Sequence, residues 1–216
     1  MPTGMTIADG LGEPAGPLRA ASKDWDMTPD KDIEASTHGL RTPLEGTATL
    51  PLVPGEPIAA PLHLIRPSVP REWVDYNGHM SESCYLLAFG DQSDAFFRLI
   101  GIDEAYRAGG HSLFTVQTMI FNLAEAHLGD RLDLSLQLLD ADAKRLHIFH
   151  AMHNAETGAL LATGEQLLVH VDMAAGRSAP MPAQLHARIQ AVLAAHADLP
   201  RPAQAGRTIS IKRVPS

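Results

Sequence analysis

The segment WVDYNGHMSES, residues 73–83, concentrates side chains that could carry out acid–base chemistry. Asp75 and His79 flank the turn-forming pair Asn77-Gly78, and an apolar run begins a few residues later. A carboxylate can act as a general base on water or as a nucleophile, and a histidine can orient water. Asp and Asn before Gly are also common turn formers, so this segment alone predicts either a catalytic site or a simple turn.

A long helix is predicted directly after this segment, over residues 82–100. Its apolar face is formed by large side chains at helical spacing, namely Tyr85, Phe89, Phe96 and Ile100. Gly101 supplies a stop, and Ser81 is a candidate N-cap. The first turn of a helix has backbone N–H groups without intrahelical acceptors and carries the positive end of the helix dipole. The amides of residues 81–83 are therefore candidate donors to a developing oxyanion.

Four strands are predicted after the helix, over residues 111–126, 131–139, 145–153 and 159–173. The clearest is 131–139, where four leucines alternate with polar residues at the period of two expected for a half-buried strand. Short turns between the segments indicate an antiparallel meander. Residues 62–73 are predicted as a first strand interrupted by prolines, and 183–196 as a terminal helix. This order predicts an α+β fold, with an antiparallel sheet wrapped around one long central helix.

The composition divides the chain into three parts. Residues 1–60 are rich in Pro, Gly, Thr, Ala and charge, and we interpret them as a disordered extension in which Trp25 is a candidate anchor. Residues 61–198 form the predicted domain. Residues 199–216 form a C-terminal tail, in which 208–213 could add a short edge strand.

Charge and cysteine content exclude several classes of function. The formal net charge is −8, which argues against binding to nucleic acid because that requires a basic face. No apolar run approaches the roughly 18 residues that a membrane helix needs. Cys84 is the only cysteine, which excludes an internal disulfide framework and favours a cytoplasmic protein. A buried core position is the favoured interpretation of Cys84.

Three histidines, His147, His150 and His153, suggest a metal site at first sight. On a strand, however, His150 faces the opposite side from the other two, so the three cannot converge on one ion. No metal site is predicted.

The motif Asp75-Tyr76-Asn77-Gly78-His79-Met80, together with DAKRLHIFH at 142–150 and LLATGEQLLVHVDMAAGR at 160–177, resembles a known family. The family is the hotdog-fold acyl-CoA thioesterases of the 4-hydroxybenzoyl-CoA thioesterase type. Within it, the chain is similar to the betainyl-CoA thioesterase domains associated with L-carnitine dehydrogenase. The resemblance covers about residues 62–173 and implies hydrolysis of an acyl-CoA thioester.

The resemblance also implies roles for particular residues. Asp75 would be the catalytic carboxylate, as general base or as nucleophile, and the backbone amide of Glu82 would be the oxyanion donor. His79 is a third candidate in catalysis, with helix capping as the alternative. Candidate substrate contacts are Asn77, Gly78, Tyr85 and Trp73. Lys144 and Arg145, at a hairpin turn, are candidate contacts for the phosphates of coenzyme A, with a solvated turn as the alternative.

A cationic acyl group would attract aromatic faces and carboxylates. The acidic candidates are Asp91, Asp94, Glu82 and Glu125. No metal or redox cofactor is expected, since coenzyme A is part of the substrate.

One helix on one small sheet leaves an exposed sheet edge. The resemblance implies that protomers pair into a continuous sheet, as a homodimer or a dimer of dimers with the active site at the interface. Two alternative functions stay open at this point, and a third is disfavoured. The chain could hydrolyse another short-chain acyl-CoA, or bind an acyl thioester without turnover. A hotdog hydratase is disfavoured because that family's D-x-N-P-x-H pattern has a proline where this chain has Gly78, and its histidine lies one residue later.

Overall fold

Three helices and five strands make up the described residues, 51–53 and 55–211, of the computed structural model. The helices are α1 (Glu82–Ile100), α2 (Glu104–Ala108) and α3 (Ala183–His196), and a short 3-10 helix covers Arg71–Trp73. The strands are β1 (His111–Asn122), β2 (Leu132–Ala141), β3 (Arg145–Asn154), β4 (Leu160–Asp172) and β5 (Arg177–Ser178). All the strand pairs are antiparallel, in the order β1-β4-β3-β2, with β5 paired to the end of β4. The predicted α+β hotdog fold is confirmed.

Alternation along β2 explains how the sheet meets the helix. The four alternating leucines of this strand are at most 1% exposed, and they are Leu132, Leu134, Leu136 and Leu138. Helix α1 packs against β2 and β4. Its Phe89 ring passes directly over Gly164 of β4, where an added Cβ would lie 2.8 Å from the ring. A glycine is required at that position because any side chain would collide with the central helix.

The core has two clusters of buried side chains, one toward each end of α1. The first gathers Phe96, Ile100 and the apolar face of α3. The second contains Met80, Tyr85 and Phe89, and it lies under the segment that follows Asp75. The start of α1 is therefore fixed from below by close packing, which holds its first turn in a defined position.

The predicted first strand, residues 62–73, is wrong. This stretch makes isolated bridges at Leu62 and Ser68 with β2 and its preceding turn, followed by the 3-10 helix. Proline has no backbone N–H to donate, and Pro67 and Pro70 therefore prevent a continuous ladder here.

The other elements lie close to their predicted positions. Helices α1 and α3 match the predicted ranges 82–100 and 183–196, and Gly101 ends α1 with a φ of 93°. Strand β1 ends at Asn122 rather than at residue 126, and α2 and β5 were not predicted. None of the described helices is long and apolar enough to cross a membrane.

The two ends of the predicted domain are only partly described. Leu52 donates a hydrogen bond from its amide to the Leu99 carbonyl, and Ile58 packs against the core, so residues upstream of 61 contribute to the domain. Trp25 and most of the predicted extension lie outside the described residues. At the other end, residues 208–211 contain no strand, and the rest of that predicted edge strand lies outside the described part.

Candidate active site

The segment from Asp75 to His79 forms a tight hairpin turn. The Asp75 amide donates to the His79 carbonyl at 3.1 Å, and the Gly78 amide donates to the Asp75 carbonyl at 3.1 Å. Gly78 has a φ of 86°, which side-chain-bearing residues rarely adopt. The Asp75 Oδ1 atom accepts a hydrogen bond from the Asn77 amide at 2.7 Å. Asp75 is thus a turn former, and one carboxylate oxygen, Oδ2, accepts no hydrogen bond from the described residues.

The same turn leads straight into helix α1. Val74 pairs with Met80, and the Ser81 amide donates to the Trp73 carbonyl at 2.8 Å. Ser81 occupies the N-cap position, although its side chain makes no capping hydrogen bond. Within the described residues, no protein acceptor receives the amides of Glu82 and Ser83. These first-turn N–H groups are therefore free to donate, and they carry the partial positive charge of the helix N-terminus.

An open cavity of about 610 Å³ lies at this junction. Its lining residues come from the hairpin turn, the start of α1 and the segment that follows β1. They are Asp75, Tyr76, Asn77, His79, Met80, Ser81, Glu82, Tyr85, Asn122, Leu123, Ala124 and Glu125. The structure thus brings the predicted carboxylate, the predicted oxyanion donor and the predicted histidine to a single cavity.

The wall opposite Asp75 is a short segment after β1, residues 123–126, which we call the post-β1 segment. Tyr85 holds it in place, since the tyrosine hydroxyl donates to the Ala124 carbonyl at 3.4 Å and accepts from the Ala126 amide at 3.2 Å. The ring of Tyr85 is buried, and burial raises the pKa of its hydroxyl. Tyr85 therefore lines the cavity as a neutral residue whose polar atom is already used by the backbone.

His79 reaches across to this wall. Its Nε2 atom lies 3.4 Å from Oε1 of Glu125, whose carboxylate also faces His127 at 3.9 Å. The His79 side chain is about a third exposed and Glu125 is mostly exposed. The contact places a histidine and a second carboxylate within the cavity that contains Asp75.

Asn77 lines the cavity as predicted, whereas four other predicted site residues do not, namely Trp73, Gly78, Lys144 and Arg145. Trp73 is half-buried and packs against the core, and Gly78 serves the turn backbone. Lys144 and Arg145 are exposed at the β2–β3 turn, where Arg145 pairs with Asp142 and lowers the pKa of that carboxyl to about 2. Along β4, Arg145 pairs with Val169 whereas the cavity end of β1 pairs with Ala162. Seven residues of strand separate the two, about 23 Å at 3.3 Å per residue. The structure does not bring Lys144 and Arg145 to the cavity within one chain.

Cys84 and the histidines of β3 take no part in this cavity. Burial raises the pKa of the Cys84 thiol, against a smaller lowering by Ser83, so the thiol stays protonated beside the second core cluster. His150 faces the core while His147 faces outward, as the alternation predicts. The described residues contain no group of three or more His, Cys, Asp or Glu side chains that could hold a metal ion.

Comparison with known proteins identifies the family. The sequence model of the Thioesterase-like superfamily matches residues 69–189, which is more than half of the chain and includes the whole cavity. The chain belongs to this superfamily.

Two relatives are more than 40% identical to the chain over the residues that align. The L-carnitine dehydrogenase/betainyl-CoA thioesterase of Rhizobium meliloti (strain 1021) is 48% identical over 155 residues, which cover 72% of this chain and 31% of that protein. The betainyl-CoA thioesterase of Pseudomonas aeruginosa is 44% identical over 144 residues, 66% of this chain and 91% of that protein. The chain therefore spans about a third of the length of the bifunctional relative and almost all of the smaller one.

Solved structures show the same fold. A Pseudomonas putida KT2440 protein described as a candidate thioesterase superimposes with a TM-score of 0.63 at 34% identity, covering 72% of this chain and 99% of that chain. A Staphylococcus aureus protein determined in complex with CoA superimposes with a TM-score of 0.64 at 26% identity, covering 73% and 100%.

The sequence analysis missed part of the cavity wall. Glu125 was considered only as one of four acidic candidates, and Asn122 was not singled out. Both residues lie within the range 111–126 that was predicted as one strand, where side chains would alternate across the sheet. The early end of β1 at Asn122 turns the post-β1 segment toward the cavity instead.

Proposed function

We propose that this chain hydrolyses an acyl-CoA thioester in the cavity at the start of α1. The observation that carries the proposal is the joint position of the Asp75 carboxylate and the first-turn amides of α1 in one cavity. Membership of the thioesterase-like superfamily supports it. The reaction uses no metal or redox cofactor, and CoA enters only as part of the substrate.

The mechanism follows from the two groups. In the general-base form, Asp75 takes a proton from water as the oxygen of that water bonds to the thioester carbon. The carbonyl oxygen becomes an oxyanion facing the Glu82 amide, and its collapse breaks the C–S bond. The CoA thiolate then accepts from Asp75 the proton that came from water. In the nucleophilic form, an Asp75 carboxylate oxygen bonds to the carbon and the C–S bond breaks, which releases the CoA thiolate. Water then cleaves the resulting anhydride, which releases the acyl group as a carboxylic acid and regenerates the Asp75 carboxylate, and the proton of that acid passes to the thiolate or to solvent.

The acyl group that we propose is betainyl, since the relatives at 44% and 48% identity are betainyl-CoA thioesterases or contain that activity in their names. The alternative substrates are other short-chain acyl-CoA esters. A cytoplasmic location fits a CoA-dependent reaction and a single free cysteine.

Thiol release from a panel of acyl-CoA esters tests this function. The panel contains betainyl-CoA, a neutral short-chain ester, an aromatic ester and a long-chain ester. We expect the highest kcat/KM with betainyl-CoA. A higher value with a neutral short-chain ester keeps the enzyme class and rejects the betainyl assignment. Binding of the esters without thiol release would instead identify an acyl-thioester binding module.

The dimer belongs to the same proposal, and strand β1 is the surface that supports it. β1 is an edge strand, and its central residues 114–118 are exposed on both faces. Phe114 and Val116 are 51% and 57% exposed, an unusual amount of apolar surface for one strand edge. The C-terminal end of β1 runs into the cavity wall, so a second chain paired along β1 would lie beside the active site.

Substituting Val116→Lys is expected to convert the dimer into a monomer. A charged lysine on the edge of β1 opposes the pairing of a second strand along this edge. Light scattering after gel filtration should give about 23.2 kDa for the variant and twice that mass for the wild type. Leu128→Lys, at a residue that is 54% exposed outside β1, is the matched control and should stay dimeric. A dimeric Val116→Lys protein would place the interface elsewhere.

A further inference from the structure

The cavity has a one-sided distribution of charge. Of its twelve lining residues, three carry carboxylates, one is histidine, and none is lysine or arginine. The phosphates of CoA are anionic and would be repelled from such a lining, so this end of the site suits the acyl group rather than the nucleotide. An acyl group that carries a positive charge would gain energy here, while a fatty acyl group would gain none from the carboxylates.

Glu125 differs from the other two carboxylates in how it is placed. Asp75 is committed to the turn and to the reaction, and Glu82 contributes its backbone amide. The backbone around Glu125 is held on both sides, by the Leu123 and Ala124 amides donating to the Leu161 carbonyl and by the Tyr85 hydroxyl at Ala124 and Ala126. The Met80 amide, at the foot of the turn, donates to the Ala126 carbonyl at 2.7 Å. The backbone that carries the Glu125 side chain is thus held in a fixed position on the wall across from Asp75.

The chemistry of a betainyl thioester sets how far its charge can lie from the reacting carbon. Only one methylene separates the quaternary nitrogen from the carbonyl carbon, so the cation must sit in the same cavity as Asp75. A trimethylammonium group has no N–H to donate, and it is recognised through charge and through contact with carboxylates and aromatic rings. Glu125, with the rings of Tyr76 and Tyr85 in the same lining, offers both kinds of contact.

We propose that Glu125 is the residue that selects a cationic acyl group, with its carboxylate facing the trimethylammonium while Asp75 acts on the carbonyl. This inference rests on the proposed thioesterase function and adds to it the origin of substrate choice. Glu125 acts on binding of the acyl group and takes no proton in the reaction.

A pair of substrates that differ only in charge tests the inference. Betainyl-CoA and 3,3-dimethylbutyryl-CoA have the same shape, since a neutral quaternary carbon replaces the nitrogen. The enzyme variant is Glu125→Gln, which keeps an acceptor oxygen for His79 and removes the charge. We expect kcat/KM for betainyl-CoA to fall about tenfold in the variant, between the effects of a solvent-exposed and of a desolvated charge pair. The value for the neutral isostere should change less than threefold. Glu156→Gln, an exposed glutamate in the β3–β4 turn, makes the same change in net charge and should leave both values unchanged.

The outcomes separate this inference from the function on which it rests. Equal losses for both substrates in Glu125→Gln would make the residue a structural support of His79 and overturn the selection role. If neither kcat/KM value changes in the variant, the selection role is overturned as well. A wild type that cleaves neither of these esters nor any other ester of the panel overturns the proposed function itself.

Discussion

Replacing Asp75 by Asn is expected to lower kcat/KM for acyl-CoA hydrolysis by about 10²- to 10⁴-fold, the range typical for loss of a positioned general base. An amide can neither take a proton from water nor form an anhydride with the acyl group. Both forms of the mechanism therefore predict the same loss. Thiol release measured with the preferred ester of the panel gives the value directly.

Asparagine is the informative replacement because Asp75 has two roles. Its Oδ1 atom accepts from the Asn77 amide at 2.7 Å and so stabilises the turn. The Asn side-chain oxygen can accept the same hydrogen bond, and Asn is as common as Asp in such turns. The variant should consequently keep the fold and the midpoint of thermal unfolding while losing turnover. Alanine would remove both roles and leave a loss of activity ambiguous.

Asp172→Asn is the matched control for Asp75→Asn. Asp172 accepts a hydrogen bond from the Ala175 amide at 2.9 Å in another turn, at the end of β4 and outside the cavity lining. This variant should retain wild-type kcat/KM. If Asp75→Asn keeps more than a tenth of the activity, the carboxylate is only a turn former, and catalysis must be assigned to another group in the cavity.

Those parts of the fold that depend on local patterns were predictable from the sequence. The leucine alternation of β2 and the apolar stripe of α1 are periodic patterns, and each can be recognised within its own segment of the sequence. The prediction of a strand over residues 62–73 was wrong for a reason that is also local. The β-prone residues of this segment suggested a strand, but a strand requires consecutive N–H donors, and the prolines remove them.

In the candidate site, too, only the features formed by residues adjacent in sequence could be predicted. The Asp75 turn and the α1 start are adjacent in the chain, so their joint position could be inferred from the sequence alone. Glu125 lies fifty residues further along the chain, and its place on the opposite wall depends on where β1 ends and on the hydroxyl of Tyr85. Such long-range contacts leave no periodic signal. The same holds for the polar group around His150 in the core. The sequence predicted the face of β3 on which His150 lies but not its hydrogen-bond partners.

His150 is the centre of a buried polar group between α1 and the sheet. Its side chain is fully buried and stacks on Phe89, with 5.2 Å between the ring centroids. The Nδ1 atom lies 3.2 Å from Oε1 of Gln92, and Nε2 lies 3.2 Å from Oγ of Ser93. Gln166 Oε1 completes the group at 3.3 Å from Nε2. These partners are all neutral, so no carboxylate among them compensates a charged imidazole.

Burial consequently lowers the pKa of His150 from 6.5 to about 4, with a smaller opposing effect from Gln166. Between these two values the unfolded chain binds a proton on this histidine and the folded chain does not. The free energy of unfolding must therefore fall as the pH drops from about 6.5 to about 4, and the contribution levels off below that. The difference of about 2.5 pKa units corresponds to roughly 3 kcal/mol. Burial also lowers the pKa of His196, which adds to the loss in the same direction.

Urea unfolding at a fixed protein concentration, repeated from pH 7 to pH 4.5, measures this effect in the wild type and in His150→Gln. The variant is expected to be less stable at pH 7, because it loses the imidazole packing, but its stability should fall much less on acidification. His186→Gln removes a half-buried histidine whose ring makes no hydrogen bond within the described residues, and this variant should retain the wild-type slope. Carboxylates such as Asp142, whose pKa is lowered to about 2, contribute only below about pH 4, so they do not obscure this window. Equal pH slopes for His150→Gln and the wild type would mean that the folded protein admits the charged ring, through water or through a rearranged Gln92 and Gln166.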